Sequence, residues 1–177
     1  MAAATQPVPA LVSLEEYLRT MYHPDCDYVD GRIEERNLGE TFHGLLQGEL
    51  VFWFRLHKDE WGIRVIPELR TRVGQTRVRI PNVTVAIDDA AMREQVRTTP
   101  PLIAIEILSP EDRLPRVTQR LHDFFLMGIH NIWLLDPTDR TAFTYTENGL
   151  EPVSGPRLSI PDSPVYLDLP EVFSALD

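Results

Sequence analysis

The sequence predicts a mixed β-sheet flanked by helices, in the α/β or α+β class. Three observations carry that prediction. Leu102 to Leu108 is a near-continuous apolar run, as in a strand covered on both faces. Two segments, Glu40 to about Lys58 and Asp112 to Met127, carry apolar residues at helical spacing. Between and after them lie short strand-like segments bounded by turn residues, an alternation that gives a sheet with helices packed on it.

The elements follow in order. Ser13 is placed to cap a short helix, with Glu16 three residues on to complete a capping box. Cys26 to Glu35 reads as a hairpin about Asp30-Gly31, with Tyr28 opposite Ile33 and Cys26 opposite Glu35. That register turns Glu35 inward and leaves Glu34 outside with Arg32 and Arg36. Phe42, Leu45, Leu46, Leu50, Trp53, Phe54 and Leu56 then predict a long core-facing helix. Strands are expected at Gly62 to Pro67, Leu69 to Val73, Arg77 to Ile87 running through Pro81, and Leu102 to Leu108. The second amphipathic helix should stop at Gly128, which suits the residue after a helix end. Strands at Asn131 to Leu135 and Thr141 to Tyr145, a turn at Asn148-Gly149 and a last helix from Leu169 to Leu176 complete the chain.

With 177 residues, 43% of them hydrophobic, the chain suits one domain with one sizeable core, expected over residues 11–177 behind a flexible N-terminus of residues 1–10. The apolar runs are strand-length, so no membrane span is expected. The first ten residues lack the basic and apolar regions of a secretory signal, and a single cysteine can form no internal disulfide; both favour the cytoplasm. A net charge of -10 repels phosphate, so any nucleic-acid contact must be local. Lys58 is the only lysine among 17 basic residues, the rest being arginines, which do not release their protons.

Glu106 is the most informative residue. Alternation puts it on the face shared with Ala104 and Leu108 inside an apolar strand, where an ionised carboxylate needs a cation or a charged partner. An arginine partner at a half-solvated strand end is the structural alternative. Asn82, after Pro81, should stand at the mouth of a strand beside the one bearing Glu106, where its carbonyl can ligate a hard cation or merely satisfy the backbone. Ser109 to Asp112 form an acidic turn and a helix cap. Arg113, Arg116 and Arg120 share one face of the helix that follows. His43 lies on the long helix beside Leu46, Gln47 and Leu50, and no histidine spacing suggests zinc.

Taken together, Tyr28 to Glu35, His43, Arg79 to Val83, Glu106 to Arg113, Gln119 to Leu121, Gly128-Ile129 and Ile132 to Pro137 resemble the Uma-two family of restriction-endonuclease-like proteins over nearly the whole chain. The resemblance implies the fold whose signature is written PD-(D/E)XK. It also implies a Mg2+ or Mn2+ site built from acidic residues on adjoining strands, and DNA as substrate. Exposed arginines beside acidic loops and a proline-rich tail permit a homodimer, which cutting two strands would want, although no self-evident interface is written in the sequence. By position Glu35 matches the first acid, Asn82 stands where the family has an aspartate, and Glu106 matches the second strand acid. Arg120 stands where many members place a lysine, Leu108 taking the usual signature position, and His43 also matches. The expected ligands are therefore Glu35, Asn82 and Glu106, with Arg120 on the phosphate and His43, Arg113 and Arg116 as accessories. The amide at Asn82 removes one negative charge from the ion's shell, and Arg120 cannot serve as a general base. Both departures weaken hydrolysis and leave open a non-catalytic nucleic-acid-binding or dimerisation role.

Overall fold

The computed structural model describes residues 11–37, 40–87 and 94–177; the flexible N-terminus expected for residues 1–10 lies outside the described residues. Helix α1 (Leu14–Arg19) begins as predicted, with Ser13 Oγ accepting the Glu16 N–H. Strands β1 (Asp27–Val29) and β2 (Arg32–Glu34) form the hairpin with Tyr28 opposite Ile33. Helix α2 spans Thr41–Leu56 and the short α3 spans Lys58–Trp61. Next come β3 (Ile63–Pro67), β4 (Thr71–Gly74), β5 (Arg77–Arg79), β6 (Val83–Ile87) and β7 (Ile103–Ile107). Helix α4 (Leu114–Met127) ends where Gly128 takes a left-handed conformation at φ 96°, and its N–H reaches the last carbonyls of the helix. Strands β8 (Asn131–Asp136), β9 (Thr141–Thr146), β10 (Gly149–Pro152), β11 (Arg157–Ser159) and β12 (Tyr166–Asp168) lead to α5 (Leu169–Phe173) and a 3-10 turn.

The largest sheet has the order β10-β9-β8-β7-β6-β3, antiparallel except for β7 and β8. Helix α4 is the connection between those two parallel strands, and a crossover of this kind requires such an intervening element. Alternation along β7 divides the core. Ile103, Ile105 and Ile107 join Leu46, Leu50 and Phe54 of α2 on one face, while Ala104 packs with Val117, Leu121 and Phe124 of α4 on the other. Glu106 shares the parity of Ala104 and therefore faces α4.

The strand expected from Arg77 to Ile87 is two strands. Pro81 has no N–H to donate to a ladder, and the chain changes sheets around it: β5 pairs in the smaller order β2-β1-β5-β4, whereas β6 enters the large sheet. A second correction concerns α2. Its buried positions are His43, Leu46, Leu50 and Phe54, whereas Phe42, Leu45 and Leu56 are exposed. The helix is apolar on two faces, and only one of them meets the core.

Arg79, 2% exposed, ties the smaller sheet to α4. Its Nε donates to Asp123 of α4 at 2.8 Å, and its Nη1 reaches Asp27 of β1 at 3.0 Å and Glu34 of β2 at 2.9 Å. Asp27 also accepts the Ile80 N–H at 3.0 Å. Removing one member of a buried, hydrogen-bonded ion network leaves uncompensated charge, a loss of about 3–5 kcal/mol. Arg79→Met should thus lower the melting temperature by roughly 10 °C for a chain of this size. Arg77→Met, on the half-exposed neighbour that also bonds Asp123, should lower it much less. Thermal denaturation of both variants checks this, and equal shifts would deny Arg79 its special place.

Candidate functional site

The C-terminal end of β7, the start of β6, the N-terminal part of α2 and the N-terminal half of α4 meet around one small cavity. Its lining includes Glu106, Asn82, His43, Arg120, Asp112 and Arg36. About 10 Å³ is open to the centre of a water-sized particle, room for about one water molecule. Three of the predicted residues, Asn82, Glu106 and Arg120, converge here together with His43. Glu35 does not join them. Strand β2 ends at Glu34, so the alternation that would have turned Glu35 inward stops one residue short. Glu35 is exposed and borders a separate hollow with Tyr22, His23 and Cys26, while Glu34 turns to Arg79 instead.

Glu106 is 1% exposed, and burial pushes its carboxyl well up from the ordinary range against the pull of Arg120 and Arg36. Its Oε2 lies 3.7 Å from Arg120 Nη2, an ion pair without a hydrogen bond, and its Oε1 has no hydrogen-bond partner. The two partners respond unequally to this pairing. Glu106 first of all, with Asp27 and Asp112 in support, holds the guanidinium of Arg120 more firmly charged, whereas desolvation outweighs the arginines at Glu106. That difference follows from chemistry: guanidinium is the more weakly hydrated ion and loses less on burial.

Asn82 stands where the sequence placed it, beside β7, but its side-chain oxygen is committed. Oδ1 accepts the Ile107 N–H at 2.9 Å, and its backbone carbonyl accepts from Gln47 Nε2 at 2.9 Å. The Ser109–Asp112 turn was expected to cap a helix starting at Asp112, and Asp112 is not part of the helix. It instead closes the preceding turn, its Oδ2 accepting the Ser109 N–H at 2.9 Å, while Oδ1 takes Asn37 Nδ2 at 2.9 Å and faces Arg120 at 3.5 Å. The N-cap of α4 is Arg113, with no side-chain capping bond. Arg113 and Arg116 are exposed at the start of the helix, and Arg116 Nη2 donates to the Glu35 carbonyl at 2.7 Å. Burial, with Arg36 beside it, pushes the His43 imidazole down from its ordinary value, which keeps it neutral near pH 7.

A divalent cation does not fit these side chains as arranged. Glu106 Oε1 is the carboxylate oxygen left unpartnered, the oxygens of Asn82 and Asp112 are taken, and two guanidinium groups line the same space. Hard cations need several oxygen ligands and gain nothing from neighbouring positive charge. Among the described residues, no group of three or more His, Cys, Asp and Glu is placed to hold a metal. Sequence reasoning missed Arg36 and Asn37 as lining residues and Asp27 and Asp123 as the anchors of Arg79. The signal for Asp123 was present: an acid three residues after Arg120 and next to the core residue Phe124.

A mixed sheet between helices, with an acid at the end of a central strand and a basic residue on the helix that follows, defines a restriction-endonuclease-like protein. The chain belongs to the Uma2 family, described as "Putative restriction endonuclease", whose profile matches residues 14–175. Among solved structures it is similar to a "putative nuclease belonging to DUF820" from Anabaena variabilis. The identity is 26%, with 93% of this chain and 99% of that chain covered and a TM-score of 0.80. A DrdV–DNA complex also aligns, at 16% identity over 74% of this chain and 85% of that chain, with a TM-score of 0.34. No curated protein matches the sequence. No helix of the described residues is long and apolar enough to cross a membrane.

The raised carboxyl of Glu106 has a consequence for stability against pH. In the unfolded chain Glu106 ionises near the ordinary carboxylate value, about pH 4, whereas in the folded chain it holds its proton to higher pH. Folding is therefore unpenalised below the unfolded value and loses stability as pH rises through the folded one. Glu106→Gln should melt above wild type at neutral pH, with the difference vanishing toward acid. Melting curves across that range test it, and a variant less stable at neutral pH would show that the Arg120 pair outweighs burial.

Proposed function

We propose that this chain is a degenerate endonuclease: a nuclease-family protein that engages DNA phosphates at the mouth of the Glu106 cavity and has lost the Mg2+- or Mn2+-dependent hydrolysis of phosphodiesters. The observation that carries this reading is the pairing of Glu106 with the Arg120 guanidinium beside an Asn82 whose oxygen is bound to the backbone. In a working site of this class the ion would polarise the phosphate and lower the pKa of an attacking water. Here a fixed positive group stands beside the acid, and it can neither hold a water in the reactive state nor take its proton.

What remains suits binding. Arg113 and Arg116 project from the exposed start of α4, where guanidinium forks can meet phosphate oxygens although the chain as a whole is anionic. A second reading, a working metal-dependent endonuclease, is favoured by one observation, the unpartnered Oε1 of Glu106. The two are separated by plasmid nicking. Wild type should show no nicking above background with Mg2+ or Mn2+, and the double variant Asn82→Asp/Arg120→Lys should acquire it. Metal-dependent nicking by wild type that disappears in Glu106→Ala would establish the second reading.

The binding half of the proposal makes its own prediction. Arg113→Ala/Arg116→Ala should weaken binding of a fluorescent duplex and flatten the dependence of log K on log salt by about two, since each phosphate contact contributes about 0.9 to that slope. Anisotropy titrations at several salt concentrations measure it. An unchanged slope would remove this face from the DNA contact.

A further inference from the structure

We infer that the solvent face of α2 is the interface of a two-fold symmetric homodimer, in which α2 packs antiparallel against the same helix of a second copy of this chain. The proposal goes beyond the function above and does not depend on whether the Glu106 cavity hydrolyses anything.

The core face of α2 is satisfied by Leu46, Leu50 and Phe54. Its opposite side carries Phe42, Leu45, Phe52 and Leu56, which are 52%, 46%, 57% and 64% exposed. These fall at the three- and four-residue spacings of a single stripe, in the manner of a helix seam. Large exposed apolar side chains scattered singly need no explanation, but four in one stripe do.

The stripe is arranged for a copy of itself. An isologous contact requires that a surface read the same in both directions from the axis. Phe42 and Leu56 lie seven residues either side of Glu49, and Leu45 and Phe52 lie four before and three after it. Antiparallel packing about that centre sets each phenylalanine against a leucine of the other copy. Beside the centre stands Gly48, with Gly44 one turn earlier. Apart from the helix's own backbone, no atom of the described residues lies within 4 Å of where a Cβ would sit on either of them. A glycine inside a helix weakens it by about 1 kcal/mol relative to alanine. Gly48 flanks the stripe, where a facing helix can approach it, whereas Gly44 lies about a third of a turn from the stripe's centre.

The area agrees. The exposed parts of these four side chains amount to roughly 400 Å² of apolar surface, given the size of large apolar side chains. With apolar atoms supplying a little over half of a typical interface, that corresponds to about 700 Å² per partner, close to the usual size of a stable pairwise contact.

The test is molar mass in solution by light scattering at micromolar concentration. Wild type should run at twice 20.3 kDa, and Leu45→Glu/Phe52→Glu at 20.3 kDa with an unchanged far-UV spectrum. Leu126→Glu, at an equally exposed leucine of α4, should leave the dimer intact. A monomeric wild type overturns the inference, and so does a dimer that survives Leu45→Glu/Phe52→Glu. If that double variant loses its helical spectrum, Glu49→Cys decides: mild oxidation should yield a covalent dimer, with wild type, whose Cys26 is buried, as the control. A Glu49→Cys protein that stays monomeric under oxidation also overturns it.

Discussion

The buried guanidinium of Arg79 is the constraint on which the rest of the architecture depends. It is bound by three acids from three elements, Asp27, Glu34 and Asp123, and so fixes the small sheet and α4 relative to each other before any apolar packing is counted. Burial opposes its charge, but the carboxylates prevail and hold it more firmly charged than a free arginine. Asp27 is also coupled electrostatically to Arg120, which is paired with Glu106. Acidic and basic groups therefore alternate from Asp123 through Arg79, Asp27 and Arg120 to Glu106. In this sense Arg120 belongs both to the cavity and to the scaffold, and its charge answers two acids at once.

That double membership bears on the degeneracy proposed for the site. A lysine is a compact point charge that gives up its proton when buried, while arginine stays charged and spreads its donors over a plane. Placed near a buried acid, a permanent cation offsets the repulsion that would otherwise call for a metal. Once the neighbouring aspartate position holds an amide bonded to the backbone, there is little left for an ion to neutralise. That is the physical basis for the degeneracy proposed for the site.

Much of this was legible in the sequence, and the failures have identifiable causes. The helix ends at Ser13 and Gly128, the parity that turns Glu106 toward α4, and the juxtaposition of Asn82 with β7 all follow from local rules of capping and alternation. Glu35 was misplaced because alternation says nothing about where a strand ends. The single strand expected through Pro81 failed because a proline that leaves a ladder can also mark a change of sheet. The exposed stripe of α2 was merged with its core face because a count of apolar residues at helical spacing does not separate two faces some half a turn apart. The three carboxylates of Arg79 come from distant parts of the chain, and no local pattern announces such a meeting.

The crossover at Ile80-Pro81-Asn82 restricts how the molecule can move. Its first residue is tied by its N–H to Asp27 in the small sheet, and its last is tied through Oδ1 to Ile107 in the large one. The joint between the two sheets is thus riveted at both ends and cannot serve as a hinge. If the molecule opens its jaws around a bulky ligand, the wall to yield is the one where side-chain bonds alone, Asn37 to Asp112 and Arg116 to the Glu35 carbonyl, join the segment after β2 to the start of α4.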